Sequence, residues 1–293
     1  MASGLQSIYT QAGAVLVPPA QATRLFGKQG NPMDSTMEMM TKRAADNSRN
    51  STAALERETR LQLAACYRIF ARRDMDDLIF THLSARLPGH DNRFLFIPFG
   101  MLFDEVTASN LLEVDIEGRA AATDAQVNPA GWVVHRTVYE AVPDAECVMH
   151  LHTVTGTAVS SQKQGLLPVN QFGITFHGKV AYHDYDGPGL RPDEQKKFVA
   201  NLADKRLMFL RNHGTLTHGR SIAEAFTLMH NLERTCEIQI AAQSGGGELA
   251  LPAPDIIANT VQIAQGVGDR HFGDVGFEAL VRQLDRLDPS YRA

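Results

Sequence analysis

The sequence predicts a layered α/β domain in which a sheet is covered by helices. Short apolar segments of strand length alternate with amphipathic segments of helical period, and helix-start signals stand at several of the boundaries. With 44% hydrophobic and 21% charged residues, the composition is that of an ordinary soluble globular chain. Its 293 residues leave room for one large domain with appendages.

Residues 1–50 are rich in Ser, Thr, Asn, Gln and Gly and show no sustained period, so a flexible arm is expected there. Met33 and Met37 are alternative starts within it. Pro18 and Pro19 interrupt the mildly apolar Ala12–Ala20 run, and no basic stretch precedes it, which argues against a secretory signal. Leu55–Arg72 has a helical period, with Leu61, Ala64, Ala65, Ile69 and Phe70 on or near one face. Strands are expected over Leu78–Arg86, Arg93–Pro98 and Leu112–Ile116, the last ending in the turn Glu117-Gly118. Asn128-Pro129-Ala130-Gly131 is a helix-start signal leading into Trp132–Val142. Glu146–His152 reads as a buried strand, and His152–Ser160 opens a helix. Gly178–His183 is a strand, Pro192–Lys205 a helix, and Arg206–Gly214 a strand ending in a turn. That turn leads through Gly219 into a long helix, Ile222–Gln243, whose Ser221 and Glu224 have capping-box spacing. Ser244–Gly247 is a flexible linker before helices at Pro254–Gln265 and Val275–Leu287. The expected divisions are therefore 1–50, 51–243 and 244–293.

A net charge of −5 and a pI near 6.1, with no basic run, argue against a nucleic-acid or anionic-membrane partner. No apolar run is long enough to span a bilayer. Cys66, Cys147 and Cys236 are odd in number and far apart, each in an apolar or helical stretch. They read as buried free thiols in a reducing, cytoplasmic compartment.

The chemistry is concentrated in histidines. Residues two apart on a strand point the same way, so His150 and His152 present two imidazoles to one point. His213, at the end of the Arg206–Gly214 strand, could be delivered to that point. Three neutral imidazoles suit a divalent ion such as zinc, manganese, iron or cobalt, and leave a position open for water or substrate. The bland alternative is a set of satisfied core histidines.

Several stretches together resemble the class II aldolase/adducin family: ETRLQLAACYRIFARRD, LIFTHLSARLPG, FLFIPFGMLFDEVTASNLLEVDIEG, NPAGWVVHRTVYEAVPDAECVMHLHTVTGTAVS, VAYHDYDG and RNHGTLTHGRSIAEAF. They run through residues 55–243 in the family's order. The resemblance implies a three-layer α/β/α fold with a central mixed sheet, a homotetramer with metal sites near subunit interfaces, and His150, His152 and His213 as the metal histidines.

The departures from the family pattern redirect the functional reading. Where sugar-phosphate aldolases carry Ser-Ser-Glu-Trp, with the glutamate as acid/base, this chain has Pro129-Ala130-Gly131-Trp132. The family's phosphate-binding Asn has become His82, and its Thr-Gly contact has become Phe99-Gly100. Phosphate recognition needs convergent polar donors, and most of those side chains are gone. His82, Phe99, Gly100, Gly131 and Trp132 are instead expected to line a site for a small carboxylic acid that is not phosphorylated and is of aromatic type, Phe99 and Trp132 being otherwise core residues. Loss of the glutamate while the metal histidines persist favours decarboxylation, which needs no base to start, over retro-aldol cleavage. Proton-donor candidates are His177 first, then Tyr182 and His183, with Asp184 and Tyr185 beside them. Arg86 and Arg211 could pair with a carboxylate, and His218 is expected to be solvated in its glycine turn. Two other readings stay open: a non-haem iron oxygenase on the same three histidines, and a non-catalytic, adducin-like assembly domain.

Overall fold

The computed structural model describes the backbone of residues 32–121, 124–187, 191–267 and 269–293, and the side chains from residue 51 onward apart from 122–123, 188–190 and 265–273. Residues 51–293 form one compact unit, and the described residues 32–50 lie outside it. The first helix, α1, spans Pro32–Ala71. It starts earlier than the apolar pattern indicates: Met, Lys, Arg, Glu and Ala over 37–45 are strong helix formers without an apolar stripe, and Pro32 suits a first helical position. The remainder of the expected arm, 1–31, lies outside the described residues.

The compact unit is built on a sheet of seven described strands: β1 (His82–Arg86), β2 (Arg93–Phe96), β3 (Leu112–Asp115), β4 (Cys147–Leu151), β5 (Val180–His183), β6 (Leu207–Leu210) and β7 (Gly214–Gly219). Their spatial order is β3-β2-β1-β4-β7-β6-β5. Only the β5–β6 pair is parallel. The connections carry α2 (Pro129–Ala141), α3 (Val154–Ser160), α4 (Gln171–Thr175), α5 (Pro192–Leu202) and α6 (Ile222–Ser244), followed by α7 (Pro254–Val267) and α8 (Asp269–Leu287).

Alternation along the strands sorts the helices into layers. On one face of the sheet, His82 and Ser84 of β1 meet His135 and Tyr139 of α2. On the other, Tyr67 of α1 binds the Leu83 backbone, and Thr217 of β7 donates to the Ala225 carbonyl of α6. Phe70 of α1 stacks on Phe226 of α6 at 4.9 Å, and Phe277 of α8 completes the cluster at 5.2 Å from Phe226. The result is the α/β/α sandwich, with C-terminal helices, that the sequence leads one to expect. The chain end is tied back as well: Ala108 N–H donates to Tyr291 O and Ser109 N–H to Ala293 O. All three cysteines are buried and free. Among the described residues no helix is long and apolar enough to cross a membrane.

Three local expectations are corrected. The strand expected over Arg206–Gly214 stops at Leu210, where Asn212 takes a left-handed φ of 58°, and the following Gly214–Gly219 is itself a strand. Thr215 and Thr217 look like loop residues, but their hydroxyls bond within the core. His218 is buried in that strand rather than solvated, its Nε2 3.0 Å from the Lys205 carbonyl. Only half of the capping box forms: Ser221 accepts from Glu224 N–H, while the Glu224 carboxylate turns to Arg220 and Arg206. Phe226 joins α1, α6 and α8, so Phe226→Ala is expected to cost about 3–5 kcal/mol in urea unfolding, as full truncation of a buried aromatic does.

Candidate metal centre

The β4–β7 pairing assembles the three histidines. Leu151 pairs with Thr215 and His150 with Leu216, so the turn between β6 and β7 lies beside the end of β4. Gly214 begins β7 against His152: a Cβ there would lie 3.0 Å from His152 Cδ2 and would also meet the Leu151 carbonyl. Thr157 of α3 donates to the His213 carbonyl at 3.3 Å and holds the turn. His150 Nε2 then lies 2.9 Å from His152 Nε2 and 3.3 Å from His213 Nε2, and one donor atom from each ring lies within 4.8 Å of the others.

The far sides of two rings fix their tautomers. His150 Nδ1–H donates to the Thr215 carbonyl at 2.9 Å, and His152 Nδ1–H to the Asp77 carboxylate at 3.1 Å. Both Nε2 atoms are therefore lone-pair acceptors aimed at one another, an arrangement that repels unless a cation or proton sits between them. A carboxylate or carbonyl behind each imidazole is also how metal-binding histidines are oriented. Burial is the main force holding all three rings neutral. It lowers His150 far below its ordinary value, with His152, His213 and His82 adding to the effect and the Thr215 carbonyl opposing it. Burial lowers His152 against the pull of Asp77, and takes His213 down to about 4 with His152 reinforcing it. Neutral imidazole is the form that binds a metal. The donor set thus fits a borderline divalent ion such as zinc.

The histidines open into a cavity of about 400 Å³ that also receives Asp77, Phe80, His82, Gly131, His183 and Glu194. His82 sits where β1 pairs with β4, directly opposite His150, with ring centroids 5.3 Å apart. Burial, with His152 and His213 adding to it, takes His82 down to about 3. Gly131 lies against this ring. A Cβ at position 131 would fall 2.5 Å from His82 Cδ2 and closer still to Nε2. The imidazole therefore fills the volume in which a side chain at 131 would begin.

The remaining expected residues divide. His183 lines the cavity and is buried, its Nε2 3.4 Å from Glu194 Oε1 and its Nδ1 accepting from the Asn201 amide at 3.1 Å. Asp184, Tyr185 and Arg211 line it too. Tyr182, on the same strand, points away: Arg211 lies over its ring and its hydroxyl accepts from Leu166 N–H. His177 is exposed and lies outside the cavity lining, as do Phe99 and Gly100. Trp132 is core: it packs on Phe94 and Phe96, and its indole donates to the Ile116 carbonyl at 2.9 Å. Arg86 is held by the Asp91 and Ala145 carbonyls. Asp77 and Glu194 were missed. Asp77 belongs to an acidic loop run, and Glu194 stands in the first turn of α5, where a carboxylate ordinarily serves the helix end.

The contact between positions 131 and 82 is testable as a double-mutant cycle. Gly131→Ala alone is expected to destabilise by about 1–3 kcal/mol, the cost of overpacking. His82→Asn in the same chain should relieve much of that cost in thermal or urea unfolding. Additive effects would contradict the contact.

The comparisons identify the family. The sequence profile of the Class II Aldolase and Adducin N-terminal domain matches residues 61–240. A Pseudomonas aeruginosa protein provisionally named an aldolase class 2 protein is 44% identical over 248 residues, covering 82% of this chain and 94% of its own length. Alpha-adducin of Rattus norvegicus is 39% identical over 249 residues, 79% of this chain and 34% of adducin. The crystal structure of an aldolase II superfamily protein from Pseudomonas syringae has a TM-score of 0.79 at 46% identity, covering 82% of this chain and 96% of that one. The L-fuculose 1-phosphate aldolase of Glaciozyma antarctica has a TM-score of 0.73 at 27% identity, covering 83% and 94%. Profile, relatives and sandwich together establish that the chain belongs to the class II aldolase/adducin family.

Proposed function

We propose that this chain is a metal-dependent carbon–carbon lyase, foremost a decarboxylase, acting on a non-phosphorylated oxo or hydroxy carboxylic acid. One observation carries the reading: three convergent imidazoles face a cavity in which Gly131, at the position the family resemblance gives to the acid/base glutamate, has its space filled by His82. A divalent ion bound there supplies Lewis acidity to a substrate oxygen. The protein's own residues do the rest. Asp77 and the Thr215 carbonyl hold two of the three rings in the ligating tautomer. His82 faces the substrate oxygen. The His183–Glu194 pair returns the proton: the Asn201 amide donates to His183 Nδ1 and His183 Nε2 lies 3.4 Å from Glu194 Oε1, so a proton taken up by the pair is the one passed on, and the imidazole is left neutral. Arg211, braced by the Gln162 carbonyl, is the cation for a substrate carboxylate. The fuculose 1-phosphate aldolase relative is named for a phosphorylated sugar, and this chain has Pro129 and Ala130 where that chemistry would want polar donors. As in other enzymes of the family, a homotetramer is the expected assembly.

The 39% identity to alpha-adducin supports a second reading, a non-catalytic assembly domain. The test is to strip the protein of metal, reload it with zinc, manganese, iron or cobalt, and assay a panel of aromatic and aliphatic 2-oxo and hydroxy acids. CO2 release, aldehyde release and oxygen uptake are followed together. The expected result is metal-dependent CO2 or aldehyde release that falls to background in a His150→Ala, His152→Ala variant. Oxygen uptake with the iron form would replace the lyase by an oxygenase. Failure to hold any of the four metals would favour the assembly role.

A further inference from the structure

A second histidine, outside the trio and outside the acid/base assignment above, points to what the cavity recognises. His82 Nδ1 lies 2.8 Å from His135 Nε2, His135 Nδ1 lies 2.6 Å from Ser84 Oγ, and Ser84 Oγ lies 2.8 Å from Tyr139 Oη. All four side chains are buried. They form one file running from the cavity into the layer between the sheet and α2.

The protons in this file can be placed by counting. Ser84 has one hydroxyl proton, two lone pairs and two partners; accepting from both would leave its own buried proton without an acceptor, so it donates to one and accepts from the other. If it donated to Tyr139, the tyrosine's own proton would need another acceptor, and among the described residues Ser84 is the one polar atom bonded to that hydroxyl. A buried hydroxyl proton without an acceptor costs the desolvation of that group. The satisfied alternative runs the other way. Tyr139 O–H donates to Ser84, Ser84 O–H donates to His135 Nδ1, and His135 Nε2–H donates to His82 Nδ1. The proton of His82 is then on Nε2, the atom facing Gly131 and the cavity.

We propose that Ser84, with Tyr139 donating to it, locks His82 through His135 as its Nε2–H tautomer, so that the cavity beside the three imidazoles presents a fixed neutral N–H donor to a carboxylate or enolate oxygen of the ligand. Tyr139, Ser84 and His135 are positioning residues in this scheme, and none touches the ligand. A protonated Nε2 has no lone pair for a metal, so His82 is not a fourth ligand. The ligand half of the proposal rests on the lyase reading, whereas the tautomer half does not.

The test is 15N NMR of the full chain with 15N-labelled histidine, metal-free and zinc-loaded, with the His82 signals identified by their loss in His82→Asn. The expected result is a protonated Nε2 and an unprotonated Nδ1 in both forms. Ser84→Ala should admit the opposite tautomer, because no hydroxyl then donates to His135 Nδ1, whereas Tyr139→Phe leaves the Ser84 proton with His135 Nδ1 as its acceptor and should keep Nε2–H. Protonation on Nδ1, or on both nitrogens, in the wild-type protein would overturn the proposal without any variant having to fold. For the ligand half the probe is oxalate, titrated into zinc-loaded protein. His82→Leu is expected to weaken it about tenfold or more, the range for a hydrogen bond to a charged group. Unchanged oxalate affinity with Nε2–H in place would overturn the ligand half. Absence of turnover with every acid tested would count against the lyase reading and leave the tautomer result standing.

Discussion

The antiparallel pairing of β4 with β7 is the constraint on which the rest of the site depends. His150 and His152 are neighbours in the chain, but His213 reaches them only because β7 lies against β4 in the register that sets Leu151 opposite Thr215. The same pairing supplies the Thr215 carbonyl that fixes the His150 tautomer. A one-residue slip would turn every β7 side chain to the other face and move the turn away from the trio. The register is secured from both sides, by β6 in the sheet and by Thr217 bonding to α6.

A second constraint is steric. Position 131 and the His82 ring compete for one volume, and a glycine there lets the imidazole lie beside the trio. Glycine at 131 and histidine at 82 are thus two sides of one shape. The imidazole brings a buried polar file with it, and a file of that kind is stable only when each donor finds an acceptor.

Much of this was legible in the chain. Period-two spacing put His150 and His152 on one side of a strand, and the helix-start signal at Asn128 marked α2, where Asn128 does accept from the Ala130 and Gly131 amides. The two departures at 82 and 131 were visible, but not that they touch, because the contact joins a strand to a helix across 49 residues of chain. Polar residues misled where burial is tertiary: Thr215, Thr217 and His218 look like loop residues and form a central strand. Apolar residues misled in the opposite sense. Trp132 and Phe99 were equally good candidates for a pocket wall, yet the first faces the core and the second lies 51% exposed away from the cavity. Asp77 and Glu194 carry no period or motif, and only the folded chain brings them to the histidines.

The most direct measurement is anomalous X-ray diffraction from crystals grown with zinc, collected on either side of the zinc absorption edge. The account predicts one strong anomalous peak per chain, within about 2.0–2.1 Å of the Nε2 atoms of His150, His152 and His213, and no zinc–nitrogen bond to His82. Well-ordered side chains of His150, His152 and His213 with no anomalous peak between them, or a peak bonded to His82 in place of one of the three, would contradict it.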